Sequence, residues 1–185
     1  MTEARQPQEH GTKVRFAPLR FTIVFAAFVG ASMFILGSSL SFHPDGHASN
    51  EIVESYFLLL ASTSKAIMHF LGVEVRGVGP FLLSSEFATT VGFGCGGLQV
   101  LAFLIAAMVA FPASLTKRAL GIVLGAALIF ALNVVRIVVL NIVGRTSPEA
   151  FEYLHVNLFP AILVVLVGVF WLQWLRWPPL LARRR

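Results

Sequence analysis

The stretch Ala119–Val143 reads ALGIVLGAALIFALNVVRIVVLNIV, an apolar run interrupted by Asn133 and Arg136. It exceeds the ~20 residues that carry a helix across a hydrocarbon core. Its surroundings agree. The 185-residue chain is 57% apolar and 12% charged, with 17 Phe. A soluble domain of this size cannot bury so much apolar surface, so a bilayer must serve as part of its solvent.

Working outward, three more segments have the same character. Phe21–Phe42 carries no charge and is too long for a signal-peptide core, so we expect an uncleaved anchor. Gly96–Phe111 ends at Pro112, before a basic loop with Lys117 and Arg118. Val156–Leu175 is flanked by Trp171, Trp174 and Trp177, an interfacial aromatic belt. Between the first two, Ile52–Gly72 mixes Phe57-Leu58-Leu59-Leu60 with Glu54, Lys65 and His69, which fits an amphipathic helix lying on the outer membrane face. Val73–Val91 alternates around Gly77-Val78-Gly79-Pro80 and predicts a short β-hairpin. The expected fold is therefore an all-α integral membrane protein. It has about four transmembrane helices, with the amphipathic helix and hairpin between the first two. Residues 1–20 form an N-terminal tail, 21–178 the membrane domain and 179–185 a basic tail.

With four spans, Arg5, Lys13, Arg15, Arg20, Lys117, Arg118, Arg176, Arg183, Arg184 and Arg185 share one side. Asp45, Glu51, Glu54, Glu74, Glu86, Glu149 and Glu152 fall on the other. The positive-inside rule then places both termini in the cytoplasm of a multi-pass inner-membrane protein. The net charge of +5 comes from these helix flanks. Without basic-aromatic interleaving, nucleic acid is excluded as a partner and membrane lipid is expected. The single cysteine excludes an intrachain disulfide and a Cys-rich metal site, and we expect no cofactor.

This topology brings three reactive residues to the outer leaflet. Cys95 opens the second span, Arg136 lies roughly 10 Å below the outer end of the third, and His155 starts the fourth. A helix N-terminus or a nearby cation lowers a thiol pKa. Imidazole moves protons, and a permanent guanidinium charge suits electrostatic stabilisation. Gly96 and Gly97 let a peptide backbone approach closely. Asn133 and Arg145 are further candidates for binding substrate. Each residue also has a plainer reading: Cys95 as a packing residue, Arg136 snorkelling to the interface, Asn133 bonding a neighbouring helix, His155 capping a helix, and Arg145 anchoring one at the headgroups. His43, Asp45 and His47 read as a solvated turn more readily than a metal cluster. Glu54 and His69 belong to the surface helix, and Glu149 and Glu152 suit a helix start. Gly121 and Gly125 form a GxxxG-like pair compatible with close helix packing.

Together, Cys95-Gly96-Gly97-Leu98, Asn133-Val134-Val135-Arg136-Ile137 and the later His155 resemble the exosortase/archaeosortase family of membrane cysteine transpeptidases, in a short subclass. The resemblance covers about residues 70–175. It implies a cysteine protease/transpeptidase that cleaves C-terminal sorting signals (a motif, a membrane helix, a basic cluster) of exported proteins and transfers them to an acyl acceptor. In that reading Cys95 is nucleophile, Arg136 stabilising cation and His155 proton-transfer residue, at a site facing the periplasm. The alternatives are a non-enzymatic membrane scaffold, a small transporter binding an anion at Arg136, or a thiol protease that transfers only to water.

Overall fold

The computed structural model describes residues 18–38, 51–84, 87–92 and 96–178. The N-terminal tail up to residue 17, the end of the first expected span, His43, Asp45, His47, Cys95 and the basic C-terminal tail lie outside the described residues. Six α-helices are described: α1 (Pro18–Ser38), α2 (Glu51–Phe70), α3 (Leu98–Ala110), α4 (Leu115–Gly144), α5 (Pro148–Tyr153) and α6 (Phe159–Arg176). The strands are β1 (Arg76–Val78), β2 (Phe81–Leu83) and β3 (Ala88–Thr90).

The spine is α4, 30 residues or about 45 Å long. It begins at Leu115, four residues before the expected boundary, capped by Ser114, whose hydroxyl accepts from the Lys117 amide at 3.4 Å. The first half of α4 packs with α3 and α6 around Leu104, Met108, Ile129, Leu163, Val167 and Trp174. Gly121 and Gly125 make this approach possible: a Cβ on Gly121 would collide with the Trp174 indole, and one on Gly125 with Leu104. The GxxxG pair is therefore a packing surface. The second half of α4 supports a separate core in which Val134, Ile137 and Val138 meet α2 and the sheet.

By length and composition, Leu115–Gly144 and Pro148–Arg176 are long and apolar enough to cross a membrane. The expected second span is shorter than read. α3 has 13 residues, about 20 Å. Gly97 at φ 65° breaks the helix on one side, and extended Phe111 before Pro112 ends it on the other. α1 lies along α3.

Polar ties join three helix ends. Lys117 Nζ donates to the carbonyls of Leu175 (3.1 Å) and Trp177 (2.9 Å), and Trp174 Nε1 donates to the Lys117 carbonyl at 3.0 Å. Arg118 donates to the carbonyls of Met108 (3.1 Å) and Phe111 (3.0 Å). These cations satisfy carbonyls that helix C-termini leave open.

α2 buries Phe57, Leu60, Ala61, Ser64 and Met68, the i, i+3, i+4, i+7, i+11 stripe of an amphipathic helix. Its other faces leave Ile52 (80%) and Phe70 (89%) exposed. Glu54 is half-buried and His69 exposed. The expected hairpin is present as β1–β2, with register Val78↔Phe81, and it continues into a third antiparallel strand. The Ser84 hydroxyl donates to the Phe87 carbonyl (2.8 Å) and accepts from its amide (3.1 Å), turning the chain into β3. Leu82 is fully buried between exposed Phe81 and Leu83, so one face of the sheet lies on the core. On that face Thr89 Oγ1 accepts from Asn141 Nδ2 at 2.9 Å.

Candidate active site

Asn133 and Arg136 sit three residues apart on α4, so they share a face. Both are buried, at 0% and 5% exposure. Burying a guanidinium demands partners. Arg136 Nη2 donates to the His155 carbonyl at 3.0 Å and lies 3.4 Å from His155 Nδ1. The structure thus joins two of the three residues that the sequence singled out, across a separation of 19 positions. A guanidinium only donates, so the 3.4 Å approach to Nδ1 is a hydrogen bond only in the tautomer with its proton on Nε2, whereas the bond to the carbonyl holds in either tautomer.

The carbonyl of His155 is open to Arg136 for a reason written in the backbone. Residues Leu154–Leu158 form a π turn, in which Phe159 N–H bonds the Leu154 carbonyl, five residues back. In that register the donor for His155 is residue 160. It is Pro160, which has no N–H. The π turn withdraws the α-helical donor, the proline withholds the next, and Arg136 fills the place. Pro160 was not among the residues read as functional, although a proline five positions after His155 was visible.

The ring of His155 is held as well. Phe151 stacks on it, with centroids 5.5 Å apart and planes within 5°. Phe87 abuts Phe151 edge-on at 5.0 Å. A Cβ on Gly144 would strike Phe87, so the glycine admits this row of rings. Phe151 was also missed, though an aromatic four residues before a histidine is the usual spacing for such a contact.

Cys95 lies outside the described residues, but Gly96, bonded directly to it, is anchored from α2. Tyr56 Oη donates to the Gly96 carbonyl at 2.7 Å, and a Cβ on Gly96 would overlap the Phe57 ring. Burial pushes the Tyr56 hydroxyl up to about 12, so it remains a donor. Gly97, at φ 65°, sits against the Asn133 side chain, where any Cβ would collide. The two glycines therefore fit this backbone tightly against α2 and α4. Asn133 Nδ2 bonds the Ile129 carbonyl one turn back at 2.8 Å, while its Oδ1 has no hydrogen-bond partner among the described residues.

Arg145 stands apart, at the C-terminal cap of α4 and about two and a half turns beyond Arg136. Glu149 and Glu152 are exposed on α5, Glu149 in its first turn. A cavity of about 360 Å³ has His155 and Phe151 on its wall, with residues 87–91 of the sheet and Ile137 and Leu140 of α4. A smaller space of about 90 Å³ between α4 and α6 touches Asn133 and Arg136.

Residues 26–171 match the family model described as transmembrane exosortase. No curated protein and no solved structure matches the chain.

Proposed function

Because the chain belongs to the transmembrane exosortase family, we propose that it is a membrane cysteine transpeptidase acting on C-terminal sorting signals of exported proteins. The observation that carries this reading is the hold of buried Arg136 on His155 at the wall of a cavity, with Gly97, in the glycine pair after the only cysteine, packed on Asn133 one turn before Arg136. A neutral imidazole and a fixed cation beside one another are the parts that a thiol nucleophile needs.

In the proposed reaction His155 takes the Cys95 proton, and the thiolate attacks the scissile carbonyl, forming a C–S bond and an oxyanion stabilised by Arg136. Collapse breaks the C–N bond. The departing amine takes the proton from His155, leaving a thioester on Cys95. The nucleophile of an acyl acceptor then attacks that thioester and gives its proton to His155; the C–S bond breaks, and the released Cys95 thiolate takes that proton back. A preorganised charge of this kind is worth roughly 10²–10³ in rate. Gly96 and Gly97, with Phe57 and Asn133 filling the space beside their α-carbons and their carbonyls held by Tyr56 and the Leu101 amide, would serve substrate only through their N–H groups. Arg145, at the helix end, would meet substrate only farther from the reacting bond.

The reading includes four spans, with both termini in the cytoplasm and the site at the periplasmic face of the inner membrane. α6 leaves Val164, Val165, Val169 and Leu172 uncovered, an apolar flank on which a substrate's membrane helix can lie without a soluble groove. The exposed apolar side of α2 suits the lipid interface.

The test is intact-mass analysis of an exported reporter with a C-terminal motif, helix and basic cluster, co-expressed with wild type or Cys95→Ala. Shortened reporter with wild type alone is expected. An added mass at the new end marks transfer, whereas a free carboxylate marks hydrolysis. Equal processing by Cys95→Ala would end the covalent mechanism. Silent Cys95→Ser with severe Arg136→Ala would favour an anion-binding scaffold.

A further inference from the structure

The cavity beside His155 is walled by every residue from Phe87 to Val91. A cavity over one face of a strand touches alternate residues, because side chains alternate. One that touches five in a row runs along the strand's edge.

The register identifies what that edge offers. Val91 N–H bonds the Pro80 carbonyl at 2.9 Å and Ser84 N–H bonds the Phe87 carbonyl at 2.9 Å. With Leu82 opposite Thr89, the backbone groups of Phe87, Thr89 and Val91 turn toward β2. Those of Ala88 and Thr90 therefore turn away from it. β3 ends the sheet order β1-β2-β3, and these groups have no hydrogen-bond partner among the described residues. Ala88 and Thr90 are both exposed. Peptide groups beside Ile137, Leu140 and Phe151 gain from a partner that brings its own peptide groups.

We propose that the substrate docks here as an added strand. The extended segment preceding its membrane helix pairs antiparallel or parallel with Ala88–Thr90, which places its backbone beside His155. β3 spans about 10 Å, the length of three substrate residues. Alternate side chains of that segment point between Ile137 and Leu140, so apolar residues are favoured at every second position. The inference rests on the transpeptidase reading and adds the conformation in which substrate is read.

Proline tests it cleanly. At 88 or 90 it removes an N–H that β2 does not use, as edge strands tolerate. Gly77→Pro is the control, since the same register turns the Gly77 N–H outward on the opposite edge. With the signal-bearing reporter, Ala88→Pro and Thr90→Pro should lose processing roughly tenfold or more, while Cys95 stays as reactive to a thiol probe as in wild type. Gly77→Pro should process normally. Should the proline variants fail to accumulate, a photoreactive residue at position 90 in the Cys95→Ala protein decides. It should capture the reporter, and one at exposed position 78 on β1 should not. Wild-type rates in both proline variants, or capture from 78 and not 90, would overturn strand addition and leave the transpeptidase reading intact. No processing by wild type with an unreactive Cys95 would overturn that reading and this inference together.

Discussion

Pro160→Ala supplies the N–H that the His155 carbonyl lacks. With Phe159 already bonded to Leu154, the new donor at 160 continues the π register onto His155. One added backbone hydrogen bond contributes about 0.5–1.5 kcal/mol. Pro160 already occupies a tolerated place in the first turn of α6, so little of the usual proline penalty is relieved. Because the carbonyl oxygen has two lone pairs, the resting protein keeps Arg136 in a weakened bond beside the new donor, and it should gain up to about 1 kcal/mol. The same donor competes with Arg136 Nη2, now 3.0 Å from that oxygen. A hydrogen bond to a charged group is worth about 1.5–3 kcal/mol, and losing about half of it at the transition state slows processing roughly tenfold. Stability and activity thus move in opposite directions, which general damage does not produce. Detergent unfolding of the purified protein gives the first quantity, and initial rates of reporter cleavage give the second. In an Arg136→Met background the proline change should have no further effect on any residual rate. Higher stability with unchanged cleavage would refute the idea that the freed carbonyl positions Arg136, and lower stability would refute the reading of the π turn.

Gly97→Ala combines a left-handed backbone position with a collision at Asn133, and it should cost about 2–4 kcal/mol in the same unfolding assay. Asn133→Ala in that background should recover part of the loss, and no recovery would move the clash elsewhere. Tyr56→Phe should cost about 0.5–1.5 kcal/mol through the Gly96 carbonyl. The folded pKa of Tyr56, about 12, exceeds its ordinary 10.0. Its contribution is therefore complete below pH 10 and declines from there toward about 12. The wild-type advantage, measured by unfolding across pH, should be flat from about 6 to 9 and shrink above 10. Lys117→Met leaves two carbonyls without their donor and should destabilise by about 1.5–3 kcal/mol, while Cys95 labelling in membranes stays unchanged.

What the sequence made readable is what depends on period and polarity. Ala119–Val143 announces its helix by length, Ile52–Gly72 its amphipathic character by mixed polarity, and Arg136 its need of partners by being a charge among apolar neighbours. The expected topology put Arg136 and His155 near one another, and they are in contact. What remained hidden depends on backbone register. The π turn is a one-residue change in hydrogen bonding that leaves hydropathy untouched, so Pro160 passed for a common residue of a membrane helix. β3 is three residues, Ala-Thr-Thr, too short to show alternation. Tyr56 and Phe57 reach Gly96 only because α2 folds back on α4, a tertiary fact that no local window contains.

Lys117 acts at two different times. In the proposed topology it is, while the chain inserts, a cation of the kind that holds a short loop on the cytoplasmic side. In the folded protein it is 9% exposed, with its ammonium bound to the end of α6 and lying 5.2 Å from the Trp174 ring. The charge that this topology assigns to insertion serves in the folded protein as a clasp on the helix hairpin. Replacing it with another cation would preserve the first role and still test the second.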